Sequence, residues 1–289
     1  MEKEVLEKIE SAANDHGEPH WFVDRRLDAS QAITVDLPDE FSLDAPNFKR
    51  SDKNLAEIAE STGIKVVQLG QRIIKNELPD ELDDKGVILT DIFTAFREHP
   101  RLIQRYFMDK VIDPNESNLT KYHLAMINSG IFLYISKNVQ INTPIDLQMI
   151  QDSTVKNPSI SHVLIVAEEG SKVTLKQTST TVGAKENLAQ PFVEIVARSG
   201  SEVNYESLDK YSSNTRVFFE RQGFLNSDAK INWKISLQNG GNTTGKIFNN
   251  LFGSNSTVNV EMDSQNTETR LDLGVNKHGK DVNYSETFV

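Results

Sequence analysis

The chain has 289 residues, 37% of them apolar and 25% charged, a globular composition with enough length for one large domain or two smaller ones. A net charge of −11 argues against a phosphate-binding surface, since nucleic-acid affinity rests mainly on basic side chains. The lack of any cysteine excludes disulfides, and it excludes thiolate ligation of zinc or of an iron–sulfur cluster by these residues.

Val5, Leu6, Ile9, Ala12 and Ala13 keep helical spacing, with Gly17 as the stop. A second segment runs from Trp21 to Ile33, with Arg25, Arg26 and Asp28 among apolar residues. Leu37 to Arg50, with two prolines, reads as loop. Asn54 to Thr62 reads as a short helix stopped at Gly63, and Ile64 to Leu69 as extended chain. Thr90 or Asp91 caps a helix carrying Ile92, Phe93, Ala95 and Phe96. Pro100 opens the next, with Leu102, Ile103, Tyr106 and Phe107 inside. Asn118 or Thr120 caps another, which Gly130 ends after Met126 and Ile127. No run approaches the roughly 18 apolar residues of a membrane span, and no apolar leader opens the chain, so a cytoplasmic protein is expected.

From Ile131 the period becomes two. Ile231, Trp233, Ile235 and Leu237 alternate with Asn232, Lys234, Ser236 and Gln238, and the stretches at Val258–Met262 and Leu271–Val275 do the same. A phrase of small or polar turn residues followed by an apolar anchor recurs at Val139, Val173, Val203, Ile231, Val258 and Val282, at steps of 34, 30, 28, 27 and 24 residues. Such a degenerate repeat suits stacked units that cannot bury their apolar faces alone. A sandwich or antiparallel barrel gives no reason for repeated anchors. The anchors favour a parallel β-helix over residues 129–289, right-handed by the general crossover preference, behind a mostly helical region over 1–128. Val173, Val203, Ile231 and Val258 are then expected at equivalent positions on successive coils.

The six histidines, His16, His20, His99, His123, His162 and His278, show no metal-pair spacing, and surface or capping roles are expected. His278 is the foremost among weak candidates. Gly240-Gly-Asn-Thr-Thr-Gly245-Lys246-Ile247 nearly matches a phosphate-binding loop, but Ile247 stands where a hydroxyl would hold Mg²⁺ and strands flank the segment. It reads as a turn between coils. No nucleophile elbow occurs, and Trp233, Phe248, Phe252 and Tyr284 read as core or rim packing. No catalytic, cofactor or metal residue is assigned.

Gly17-Glu18-Pro19-His20-Trp21 followed by Arg25-Arg26-Leu27-Asp28-Ala29 resembles the N-terminal motif of the SufB/SufD family. Asp91 to Phe107 is similar to that family's helix pair before its β-core. Leu124 to Ile145, with Gly130, Lys137 and Pro144, is similar to the family's junction into a β-helix, with Ser136 in place of the usual proline. The resemblance implies a right-handed parallel β-helix with an N-terminal helical region. It implies a non-catalytic scaffold of an iron–sulfur cluster assembly complex, partnered by SufB-like and SufC-like subunits. It implies no cofactor bound by this chain, the cluster and ATP being handled by the complex. Family members continue past Gly274–Asp281 with further coils, a His-containing motif and a C-terminal helical region, so this chain reads as a fragment, and its uncapped last strands are expected to fray or to support a homodimer. The competing readings are a carbohydrate-active β-helix enzyme and a plain interaction module; fold alone does not choose among them.

Overall fold

The computed structural model describes residues 3–34, 37–38, 41, 45–49, 63–265 and 268–289. The expected helix over Asn54–Thr62 lies outside them.

The repeat is built from one corner turn per coil. Asn138, Gly170, Gly200, Asp228, Asn255 and Asp281 all take left-handed backbone conformations, with φ of 62°, 67°, 68°, 59°, 59° and 55°. Gly, Asn and Asp are the residues that enter this region at least cost. The turns stack directly. Asn138, Gly170, Gly200, Asp228 and Asn255 each donate their backbone N–H to a carbonyl one coil ahead, at 2.9–3.0 Å. Gly170 also needs its missing Cβ, which would lie 2.6 Å from Asn138 Oδ1. The column advances by 32, 30, 28, 27 and 26 residues, so the coils shorten toward the C-terminal end.

Between the turns run paired strands: β4 (Ser129–Ile135), β5 (Ile145–Ser153), β6 (Ser159–Ala167), β7 (Lys172–Gly183), β8 (Asn187–Ala197), β9 (Glu202–Lys210), β10 (Thr215–Leu225), β11 (Lys230–Leu237), β12 (Thr243–Leu251), β13 (Thr257–Ser264), β14 (Thr269–Lys277) and β15 (Asn283–Phe288). Odd strands form one sheet and even strands a second, and from β4 onward neighbours within a sheet pair in parallel. This is a two-sheet parallel β-solenoid and not a sandwich. Val173, Val203, Ile231 and Val258 are direct register partners and fully buried, as expected. The outer two anchors are displaced by two residues. Val258 pairs with Tyr284, not Val282, and the Gln140–Lys172 bridge sets Ile141, not Val139, beside Val173. A shift of two keeps the same face inward, so composition alone does not distinguish them.

The solenoid begins before residue 129. β1 (Ile64–Leu69) pairs in parallel with β5 and antiparallel with β2 (Arg72–Glu77), and β3 (Ile88–Asp91) pairs antiparallel with β4. A short α3 (Asp80–Asp83) lies between β2 and β3. Gly130 does not end a helix. It lies within β4, where a Cβ would sit 2.2 Å from the His162 carbonyl oxygen, and the helix ends at Ile127.

The helical cap comprises α1 (Lys3–Asp15), α2 (His20–Gln31), α4 (Ile92–Glu98), α5 (Pro100–Ile103) and α6 (Asn118–Met126). Asp91 caps α4 by accepting from Phe93 and Thr94 N–H. Ser117, one residue before the expected cap, caps α6 reciprocally with Thr120. The cap lies on the outer face of β4, β6 and β8, where Phe132, Leu164, Val166, Phe192 and Val196 join its apolar cluster. That explains why β6 and β8 are buried on both faces while β9 and β11 alternate.

Candidate functional site

The polar groups with the most defined geometry lie where cap meets solenoid. Gly17, at φ 75°, closes α1, and Pro19 starts α2, which brings Glu18 and Arg26 together. Arg26 donates from Nε to Glu18 Oε2 at 2.6 Å and from Nη2 to Oε1 at 2.8 Å. Its Nη1 donates to the Ala125 carbonyl at 2.7 Å, and Nη2 also to that of Ile127 at 2.6 Å. Both side chains are buried. A bidentate pair with its remaining donors placed on carbonyls is the form in which a buried ion pair is tolerated. The Gly-Glu-Pro-x-Trp segment and its following arginines therefore form a joint that fixes α2 to the end of α6.

A second chain of groups lies deeper. Glu194, on the outer face of β8, accepts from the backbone N–H of Met108 and of Ile112, each at 2.8 Å. His162 Nε2 lies 2.9 Å from Glu194 Oε2, and His162 Nδ1 lies 3.1 Å from His123 Nε2. All three side chains are completely buried. Burial first, and the neighbouring His162 second, hold His123 well below the ordinary imidazole range. Arg25 donates to the Phe107 and Met108 carbonyls at 3.1 and 2.9 Å, supporting a turn in which Met108 itself is left-handed at φ 43°. Burial lowers the Arg25 guanidinium, against the opposing pull of Glu194 and Asp109.

Beyond the cap, Glu220, Lys246 and Asp272 stand in one row across β10, β12 and β14. Lys246 pairs with Glu116 of the cap. A cavity of about 270 Å³ opens there, lined by Leu119, Phe192, Phe218, Glu220 and Lys246 among others. Burial raises the Glu220 carboxyl to about 7, against hydrogen bonding from Gln222 and the charge of Lys246. Inside the solenoid, Arg221 Nη2 donates to Asp209 Oδ2 at 2.6 Å and Tyr205 Oη donates to Gln177 at 2.9 Å, both fully enclosed.

The near-match to a phosphate loop is a corner turn followed by β12. A Cβ on Gly241 would lie 2.3 Å from the Thr215 carbonyl, and Ile247 is buried in the core. His278 is exposed beside Phe252, 6.0 Å away between ring centroids. Surface roles do not hold for His123 and His162. Their separation of 39 residues gives no local signal, and only the packing of α6 on β6 joins them. The buried Arg221–Asp209 pair was equally hidden, since both residues sit in strands whose pattern otherwise reads as polar-out. Among the described residues, no group of three or more His, Asp or Glu side chains is placed to hold a metal ion, and no helix is long and apolar enough to cross a membrane.

Two family models match the chain. Residues 57–147 match the SufBD protein N-terminal region, and residues 149–274 match the SufBD core domain of the SUF system for FeS cluster assembly. The change between them falls inside β5. Iron-sulfur cluster assembly protein SufD of Bacillus subtilis (strain 168) is 32% identical over 271 residues, covering 86% of this chain and 62% of that protein. An iron-sulfur cluster assembly SufBD family protein of Staphylococcus epidermidis (strain ATCC 12228) is 25% identical over 167 residues, covering 57% of this chain and 36% of that protein. One from Staphylococcus haemolyticus (strain JCSC1435) matches to the same extent. The chain thus spans less than two thirds of the length of these relatives.

Proposed function

Because the chain belongs to the SufBD family of iron–sulfur cluster assembly proteins, we propose that it serves as a non-catalytic scaffold subunit of a cytoplasmic SUF assembly, joined to SufB-like and SufC-like partners. The observation that carries this reading is the similarity to SufD across both the helical region and the solenoid. The cluster is cargo of the complex, and ATP turnover belongs to the SufC-like partner. The residues fit that division. With no cysteine, this chain offers no thiolate to a cluster, and its one near-match to a nucleotide loop commits Lys246 to Glu116 and Ile247 to the core.

The test is co-purification of the tagged chain with SufB and SufC homologues, followed by ATPase assay of each fraction. We expect recovery of at least one partner and turnover only in fractions that contain SufC. Recovery of neither would overturn the scaffold reading. ATP turnover by the chain alone, or a rise in its melting temperature with added metal, would overturn its non-catalytic part.

A further inference from the structure

We propose that the His123–His162–Glu194 chain is an acid-sensitive latch that holds the turn after α5 and the helix α6 onto the solenoid. Its geometry limits how many protons it can hold. Glu194 already accepts two backbone N–H bonds, so its contact with His162 takes a proton from His162 Nε2. The 3.1 Å contact between His162 Nδ1 and His123 Nε2 then accommodates one proton, carried by either ring. With that contact filled, the next proton falls on His123 Nδ1, a fully buried atom where only the Gln190 side chain favours a charge.

Among the described residues, only the Gln190 side chain favours a charge on His123, and burial outweighs it. From α2, Arg26 opposes a positive charge on His123, and Arg25 stands near Glu194. Asp109, on the turn after α5, also faces Arg25, and Glu220 on β10 faces Glu194. Among the described residues, Glu194 is thus the sole carboxylate bonded to the pair, and it is already committed to Met108 and Ile112. His123 further stacks on Phe192, with ring centroids 3.8 Å apart and planes 4° from parallel. A charge on His123 is therefore relieved by moving the ring into water, which takes α6 with it and releases the left-handed turn at Met108. Among the described residues, the coils from β9 onward contribute no group bonded to the latch, so they stay closed.

Once His123 is exposed it titrates near 6.5, and local opening gains one proton relative to the closed form. Opening of residues 107–127 should then rise about tenfold per pH unit below about 6.5. Hydrogen exchange of the full chain at pH 7, 6 and 5, corrected for intrinsic rates, reads this directly. We expect protection in 107–127 to fall about tenfold between pH 6 and 5 while β10 to β12 hold theirs. His123→Gln should flatten that slope. A slope that persists in His123→Gln, or equal loss in the solenoid strands, would overturn the latch. Imidazole ¹⁵N titration of the unmodified chain gives an independent reading: His123 gaining a proton with 107–127 still fully protected would overturn it as well.

Discussion

Glu220 and His123 are buried ionisable groups that pull stability in opposite directions with pH. The Glu220 carboxyl titrates at about 7 when folded and at 4.5 as a free side chain. Between those values the folded chain binds more protons than the unfolded one, so this group's contribution falls as pH rises and stays low above 7. His123 is held neutral when folded, so its contribution is lost as pH falls below the free value of 6.5. Between 4.5 and 6.5 the two slopes offset, so stability should be nearly level there and lower on either side. Glu220→Gln should remove the alkaline penalty and stabilise the chain at pH 8 by up to about 3 kcal/mol, leaving a curve that rises from pH 5 to 7. Urea titrations at pH 5, 6, 7 and 8 check this; no gain at pH 8 would mean that Glu220 is hydrated. The Glu18–Arg26 pair differs in kind, because its charges are matched and their partners complete.

At the scale of the elements, two devices set the register of the coils. One is the column of left-handed turns. The other is a ladder on the outer face of the odd-numbered sheet, where Lys65, Asp146, Lys176, Glu206, Lys234 and Glu261 are successive register partners of alternating sign. Three rungs close to 3.7, 3.7 and 3.4 Å. The exposed rungs at Lys176 and Lys234 contribute little alone, whereas Lys65 is buried beside Asp146. Slipping a strand by two residues, the smallest shift that keeps apolar residues inward, breaks most of the rungs and misaligns the turns. The interior is less forgiving. Val203 is fully buried between Val173 and Ile231. Val203→Asp should cost several kcal/mol, because it places an unpaired carboxylate in the stack. Thermal unfolding measures the loss, and a shift of only a degree or two would show that the coil admits water there.

At the scale of the molecule, the solenoid has unlike sides. The outer face of β4, β6 and β8 is covered by the cap, and the outer face of the odd sheet is a solvated ladder of Lys, Glu and Asn. The outermost strands of the two sheets at the narrow end are β14 and β15. Their inward residues Leu271, Leu273, Val275 and Tyr284 are only partly buried, and Phe288 is 64% exposed. Edges of this kind pair readily with another strand. We propose that these 289 residues by themselves self-associate through those edges at high concentration. Sedimentation velocity over a hundredfold concentration range measures it, with hydrogen exchange of β14 and β15 reporting protection on association. A strict monomer throughout would remove the homodimer and leave SufB-like and SufC-like subunits as the proposed partners.

The β-solenoid, its four inner anchors and its helical cap were legible in the sequence, because each rests on local rules. Alternation of two marks a strand with one buried face, as at Ile231–Leu237. Recurring Gly, Asn and Asp mark the turns, and Asp91 and Pro100 mark helix starts. The Gly17–Ala29 segment also stood out in the sequence, although its work in binding Arg26 to the end of α6 did not. What only the tertiary structure decided is where distant residues meet. Arg26 reaches carbonyls about a hundred positions away, and Glu194 holds a turn over eighty positions back. Periodicity reports which face a residue is on and says nothing of what covers that face. The cap converts the polar-outward His162 and Glu194 of β6 and β8 into buried groups, and that single act of covering creates the proton-limited contact on which the latch depends.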